Sequence, residues 1–143
     1  MSRLLRITAA TILMAAVPAL AADIDPAVVF DMGGKFDKSF NEGVYNGVEK
    51  FKKETGIAYK EFEVTNETQR EQALRRMAQR GSNVVISVGF AQAEPLKKVA
   101  AEFPKTKFTI IDGVVELPNV QSVLFKEHEG SFLVGVLAGH HGF

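Results

Sequence analysis

The chain contains 143 residues, the size of about one domain, and its 46% hydrophobic and 24% charged residues are typical of a soluble globular protein. Its 17 Lys and Arg residues balance its 17 Asp and Glu residues, and this zero net charge excludes a strongly basic nucleic-acid binder and an acidic disordered tail. The sequence contains no cysteine, which excludes a disulfide scaffold, a cysteine zinc site and a thiol nucleophile.

The first 21 residues have the pattern of a secretory signal peptide. Met1–Arg6 contains two arginines and no acidic residue, and the uncharged run Ile7–Ala21 ends in the small-x-small triplet Ala19-Leu20-Ala21. The run is shorter than the roughly 20 apolar residues that a transmembrane helix needs, and a buried N-terminal helix is the alternative. We predict cleavage after Ala21, which leaves an exported chain of net charge −2 because both arginines of the leader are removed.

The rest of the sequence predicts strands that alternate with helices. Short apolar, β-branched runs bounded by glycine or polar residues predict five strands, at Ala27–Met32, Ile57–Val64, Asn83–Val88, Lys107–Ile111 and Val120–Phe125. Apolar residues at helical spacing predict four helices, which begin near Phe40, near Asn66, at Ala93 and at Glu129 and end at Thr55, Gln79, Phe103 and His140. Gly56 and Gly81 are the predicted stops of the first two helices.

This alternation predicts a doubly wound parallel sheet of the α/β class, because parallel strands need crossover connections. Such sheets bind ligands beyond the carboxyl ends of their strands, near the switch in strand order. The segments expected at that edge are Asp31–Asn41, Gly89–Gln92 and Asp112-Gly113.

The loop Asp31–Asn41 after the first strand is the most unusual segment. Its glycines form no nucleotide fingerprint, since neither GxGxxG nor GxxxxGK[ST] is present. Asp37 or Ser39 is expected to cap the following helix. The loop also places Phe36 and Phe40 beside acceptor groups, which suits a flat heteroaromatic ligand whose ring stacks and whose N–H groups donate. Packing of Phe40 on the sheet is the alternative.

Asp112 ends the fourth strand as Asp31 ends the first, and ligand hydrogen bonding, loop capping and acid–base catalysis are all open for this pair. Phe90 follows the third strand at the same edge, where a ligand contact and a packing role are equally open. Neither a metal site nor a serine hydrolase is expected, because the adjacent His140 and His141 point in different directions on a helix and no GxSxG motif is present.

Several of these segments together resemble the basic membrane protein family of ABC-transporter substrate-binding proteins, a group that includes purine nucleoside receptors. The resemblance rests on Asp31–Gly34, Asp37–Asn41, Ile111–Gly113 and Asn119–Gly135, and it extends from about Val28 to Ala138. The combination of a DxSFN loop with an FKEHEGSFLxGxLA segment is more specific than either motif alone.

The resemblance implies the type I periplasmic-binding-protein fold, in which two α/β lobes close on a ligand like a hinged clamp. It implies a monomeric periplasmic protein that binds a purine nucleoside and delivers it to an ABC permease at the inner membrane, with no cofactor, no catalytic residue and no nucleic-acid partner. By the family pattern, Phe40 stacks on the base, Asp31 and Asp112 accept hydrogen bonds from its edge, and Asn41 is a further polar contact. Phe36 and Phe90 complete the predicted ligand-binding residues.

The same resemblance predicts how the chain is organised. Residues 1–21 are the expected signal peptide, residues 22–126 the N-terminal ligand-binding lobe, and residues 127–143 the start of a second lobe that is truncated. The apolar stripe within Phe132–Leu137 is then expected to be exposed. Two alternatives are an exported flavodoxin-like enzyme that processes a nucleoside with its two strand-end carboxylates, and a homodimer that buries the last helix.

Overall fold

The computed structural model describes residues 24–142, so the predicted signal peptide, residues 1–21, lies outside the described residues. The five strands are β1 Pro26–Phe30, β2 Lys60–Glu63, β3 Val84–Val88, β4 Lys107–Ile111 and β5 Val120–Val123. The helices are α1 Phe40–Thr55, α2 Gln69–Gln79, α3 Ala93–Glu102 and α4 Glu127–His140, and a 3₁₀ turn at Phe90–Gln92 precedes α3.

The strands and helices follow the predicted order, and the differences lie at their ends. β2 begins at Lys60 rather than Ile57, because its four residues pair with Ala27–Phe30 of β1 and find no further partner there. β5 ends at Val123, opposite Ile111, the last residue of β4. A strand therefore extends only as far as its neighbour supplies backbone partners.

All five strands run parallel in the order β2-β1-β3-β4-β5, which confirms the predicted doubly wound α/β sheet. The strand order switches at β1, since β2 lies on one side of it and β3 on the other. Ligand sites in open parallel sheets lie beyond the carboxyl ends of the strands at this kind of switch. The topology therefore predicts a ligand site at the residues that follow β1, β3 and β4.

The sheet carries an apolar core on each face, because successive side chains of a strand point to opposite sides. Ala27 and Val29 of β1 face the larger core, which α2 and α3 cover with residues such as Leu74 and Leu96. Val28 and Phe30 face a smaller core, and Phe40, Val44 and Val48 of α1 pack against it. One face of the sheet is therefore covered by α1 alone, and the other face is covered by α2 and α3 together.

Both predicted glycine stops end their helices through positive φ angles. Gly56 has φ 74° and its N–H donates to the carbonyl of Lys52 over 2.9 Å. At the end of α2, Gly81 has φ 87°, its N–H donates to Ala78, and the N–H of Ser82 donates back to Met77, the bonding pattern of a Schellman motif.

The carboxyl end of α3 is closed by a side chain from the start of β5. Asn119 is buried, and its Nδ2 donates to the carbonyl oxygens of Ala100, Phe103 and Thr106 at 3.0–3.2 Å. Ala100 lies in the last turn of α3, where carbonyls lack a donor further along the helix, and Phe103 and Thr106 lie in the connection that follows, so one amide joins the helix end to this connection. This contact connects the last strand to α3.

Helix α4 carries a wholly exposed apolar surface, as predicted. It begins at Glu127 rather than Glu129, and within the described part of the chain none of its residues is buried. Phe132, Leu133, Val134, Val136 and Leu137 are all exposed. No helix within residues 24–142 combines the length and the apolar character required to cross a membrane.

Candidate ligand-binding site

The carboxyl ends of β1, β3 and β4 lie level with one another. Val29 pairs with Ser87, and Val88 pairs with Ile111, so Asp31, Gly89 and Asp112 leave the sheet at the same height. Since neighbouring strands lie about 4.8 Å apart, the Cα atoms of the two aspartates are about 10 Å apart, with Gly89 between them. The structure therefore brings both predicted carboxylates to one edge.

Asp31 forms an ion pair with an arginine that the sequence analysis did not single out. The Nε of Arg70, in the first turn of α2, donates to Asp31 Oδ1 over 3.0 Å. The Arg70 side chain is only 10% exposed and that of Asp31 18% exposed. Among the described residues, Oδ2 of Asp31 accepts no hydrogen bond. One carboxylate oxygen is thus occupied by the protein, while the other has no partner there.

Gly89 is required between the two aspartates. Its φ of 96° lies where L side chains are strained, and a Cβ placed on it would lie 3.2 Å from Asp31 Oδ2. A comparable constraint applies at Gly113, where an added Cβ would lie 2.6 Å from Ile110 Cδ1 and 3.3 Å from the Cα of Phe90. The glycines allow the three loops to approach one another closely.

Asp112 is half-buried and adopts a left-handed conformation with φ 61°, which aspartate tolerates better than most residues. Its backbone N–H donates to the carbonyl of Val123 over 2.8 Å. This bond belongs to the last pair of the β4–β5 ladder, Ile111 with Val123, and it fixes the backbone from which the carboxylate projects.

Asp37 caps α1, which confirms one of the two predicted caps. Ser39 occupies the N-cap position, but its hydroxyl makes no capping bond. Asp37 instead accepts bonds from the backbone N–H groups of Ser39, Asn41 and Glu42 and from Asn41 Nδ2, over 2.8–3.2 Å. Desolvation raises the pKa of Asp37, but these four bonds to the charged form outweigh it and lower the pKa to about 2.

Asn41 connects the capped helix to the end of β1. It is 3% exposed, its Oδ1 accepts from the backbone N–H of Asp31 over 3.1 Å, and its Nδ2 donates to Asp37 over 3.0 Å. The structure places this side chain beneath the loop, where it holds Asp31 and Asp37 at a fixed separation.

The three predicted aromatic residues occupy different positions around this edge. Phe36 and Phe90 are 64% and 72% exposed, whereas Phe40 is half-buried against the smaller core. Within residues 24–142 no ring contact joins any two of them. Phe36 instead packs edge-on against Tyr45, with ring centroids 5.1 Å apart.

Lys35 fixes the Phe36 segment of the loop to the edge strand β2. Its backbone N–H donates to Glu63 Oε2 over 3.0 Å, and its ammonium pairs with Glu61. The ammonium also lies 5.6 Å from the ring centroid of Phe36 and 5.4 Å from that of Tyr45, within cation–π range. The hydrogen bond to Glu61 raises the pKa of Lys35, so the cation persists throughout the neutral range.

An apolar groove begins at this edge but is lined by neither carboxylate. It has a volume of about 550 Å³ and follows α1 across the less covered face of the sheet, lined by apolar residues that include Phe40, Val44, Ile86, Ile111 and Phe125. Its lining lacks the polar groups that fix a ligand's orientation. The edge with Asp31 and Asp112 is therefore the better candidate for ligand recognition. Nowhere in residues 24–142 do three His, Asp or Glu side chains converge as metal ligands.

Arg70 is a functional residue that the sequence analysis did not identify, although its spacing contains a signal. It precedes Ala73, Leu74 and Met77 by three, four and seven residues, so it lies on the apolar face of α2. A charged residue on the buried face of a helix needs a partner, and this spacing was a signal that the sequence contained. Which residue is the partner depends on the fold.

Comparison with known proteins agrees with this architecture. The family described as "ABC transporter substrate-binding protein PnrA-like" matches residues 24–142. An uncharacterized lipoprotein of Pyrococcus abyssi is 34% identical over 121 residues, covering 82% of this chain and 30% of the relative. The ABC transporter nucleoside-binding protein BmpA of Lactococcus lactis is 29% identical over 121 residues, covering 81% and 34%. The chain spans about a third of the length of the curated relatives that it matches.

Solved structures show the same arrangement of strands and helices. A solute-binding protein of an ABC transporter system from Aeropyrum pernix is 34% identical with a TM-score of 0.75, over 80% of this chain and 32% of that one. A 5-methylthioribose transporter solute-binding protein from Thermotoga lettingae is 18% identical with a TM-score of 0.68, over 83% and 38%, and this likeness concerns the fold alone. The family match and the shared fold together place this chain in the PnrA-like (Bmp) family of ABC transporter substrate-binding proteins.

Proposed function

We propose that this chain forms the N-terminal lobe, residues 22–126, of an extracytoplasmic substrate-binding protein that binds a purine nucleoside and delivers it to an ABC permease. Residues 127–143 begin the second lobe in this proposal. The observation that carries it is the pair Asp31 and Asp112 on either side of Gly89, at the carboxyl edge of the sheet.

The chemistry of this edge fits a purine base. Carboxylates accept hydrogen bonds from ring N–H and amino groups, and a glycine between them leaves room for the edge of a flat ring. In this proposal such a ring stacks on Phe40, Phe36 or Phe90, of which Phe36 and Phe90 are exposed. A relative named as a nucleoside-binding protein supports the same ligand class. Asn41 acts in this proposal by holding Asp31 in place, as well as by any direct contact.

Titration of the ¹⁵N-labelled protein with guanosine, inosine and adenosine, followed by NMR, tests the ligand class and locates the site. We expect the amide signals of residues 31–41, 89–92 and 112–113 to shift with a nucleoside and not with ribose. Asp112→Asn is expected to weaken binding by about tenfold or more, because it removes a charged acceptor. Glu116→Gln, at an exposed position on the following loop, is the matched control and is expected to bind normally. Shifts with ribose and none with any nucleoside would overturn the assignment.

Incubation of the same protein with nucleosides distinguishes a binding protein from an enzyme. The family consists of substrate-binding proteins, and we expect nucleosides to be recovered unchanged after prolonged incubation. Formation of free base or a modified nucleoside, abolished by Asp112→Asn, would instead support the flavodoxin-like enzyme.

Export to the periplasm is the remaining part of the proposal. The basic start, the apolar run and the triplet Ala19-Leu20-Ala21 support a cleavable leader. N-terminal sequencing of the protein from a periplasmic fraction is expected to begin at Ala22. Recovery of the uncleaved chain from the cytoplasm would contradict this localisation.

A further inference from the structure

The burial of the Arg70 side chain is not explained by contacts within its own helix. It lies in the first turn of α2, where the partial positive charge of the helix N-terminus disfavours a cation. Its side chain is 10% exposed, and a buried guanidinium without a partner is strongly unfavourable. Glu67, one turn earlier, is 78% exposed and lies 4.0 Å from Nη1, so it offers little compensation. The 3.0 Å bond to Asp31 is the contact that accounts for this burial.

The pairing has a geometric consequence for the ligand edge. Because Arg70 Nε holds Oδ1 and Asn41 Oδ1 accepts from the Asp31 backbone N–H, both the side chain and the backbone of Asp31 are fixed. Oδ2 then lies next to Gly89, where an added Cβ would be 3.2 Å away. The acceptor available to a ligand is therefore one oxygen in a defined position.

The pairing also changes the charge of the edge. Asp31 and Asp112 alone would present two negative charges at this edge, and their field would favour a cationic ligand. The guanidinium of Arg70 offsets the charge of Asp31 at close range and leaves its second oxygen as an acceptor.

We propose that Arg70 is a positioning residue that fixes Asp31 Oδ2 as the acceptor and makes the site select an uncharged ligand over a cationic one. The ligand class in this inference rests on the proposed function, whereas the role of Arg70 toward Asp31 does not.

Calorimetric titration with adenosine and with the cationic nucleoside 1-methyladenosine tests the selection. We expect Arg70→Met to weaken adenosine binding about tenfold or more and to shift the ratio of the two affinities about tenfold toward the cation. Arg76→Met removes the same charge from an exposed position of α2 and is expected to leave both affinities unchanged. Arg70→Met with wild-type affinities, or with both affinities reduced by the same factor, would overturn the proposal.

Arg70→Lys provides the test if the methionine variant does not fold. It retains the charge and loses the planar Nε–H geometry, so we expect weaker adenosine binding with the preference for the neutral ligand retained. Wild-type affinity for adenosine in this variant would refute the positioning role, and loss of the preference would refute the charge effect.

An NMR measurement without ligand distinguishes failure of this inference from failure of the proposed function. The Arg70 Nε–Hε signal is expected to be protected from exchange in the wild type and to shift in Asp31→Asn. If the wild type binds neither nucleoside, the proposed ligand class is wrong, and this signal alone decides whether Arg70 positions Asp31. An Arg70 signal that does not respond to Asp31→Asn would contradict that role.

Discussion

Replacement of Gly89 by alanine is expected to disturb both the stability of the lobe and the geometry of the site. The backbone there has φ 96° and ψ 144°, a combination that costs an L residue on the order of 1–3 kcal/mol. The new Cβ would also lie 3.2 Å from Asp31 Oδ2, so the carboxylate must move by a few tenths of an ångström. Alanine restricts the unfolded chain and so recovers about 0.4–1 kcal/mol, which leaves a net loss of about 1–2 kcal/mol.

Urea denaturation followed by circular dichroism measures this loss, and thermal unfolding should show a fall in Tm of about 4–8 °C for each kcal/mol. Gly47→Ala is the matched control. Gly47 lies in the middle of α1 with nothing within 4 Å of an added Cβ, so the same substitution is expected to stabilise the protein by about 0.5–1 kcal/mol. A Gly89→Ala variant as stable as the wild type, or an equal loss of stability in the two variants, would contradict this expectation.

Three further substitutions test the contacts that support the site. Asp37→Ala is expected to destabilise the protein at neutral pH. Because folding lowers the Asp37 pKa from 3.8 to about 2, the ionised carboxylate stabilises the folded state above about pH 4, and the difference between variant and wild type should shrink as the pH falls toward 2. A difference in unfolding free energy that stays constant between pH 5 and pH 2 would contradict this. Leu74→Ala removes a fully buried side chain from the larger core, and a loss of about 2–5 kcal/mol is expected in urea denaturation, with a loss below about 1 kcal/mol inconsistent with that packing. Asn119→Ala removes the side-chain donor that three carbonyls at and just beyond the end of α3 share, which should cost about 1–3 kcal/mol by the same assay, and an unchanged midpoint would show that water replaces the amide.

The order of elements could be predicted because local signals repeat along this sequence. Runs such as Val84–Val88 are apolar and β-branched, and glycines such as Gly56 and Gly81 follow the helices where positive φ is needed. Strand ends could not be predicted equally well, because they depend on the length of the partner strand. The late start of β2 at Lys60 is such a case.

The candidate site was only partly predictable, for a different physical reason. Asp31 and Asp112 could be assigned to one edge from topology alone, since strand ends meet there. Arg70 lies 39 residues from Asp31 in sequence, and their pairing follows from how α2 packs on β1. In the same way, sequence spacing does not reveal that Phe36 stays exposed while Phe40 packs against the core.

The position of β1 in the sheet has a consequence for the timing of folding. β1 is the first strand of the chain, yet its partners lie far along it: Ala27 pairs with Lys60 on one side and with Val85 on the other. Closing contacts this distant in sequence is slow compared with forming a helix, and β1 has at most one neighbouring strand until β3 has been synthesised. In a nascent chain β1 therefore stays unpaired on at least one side until Val84–Val88 has left the ribosome.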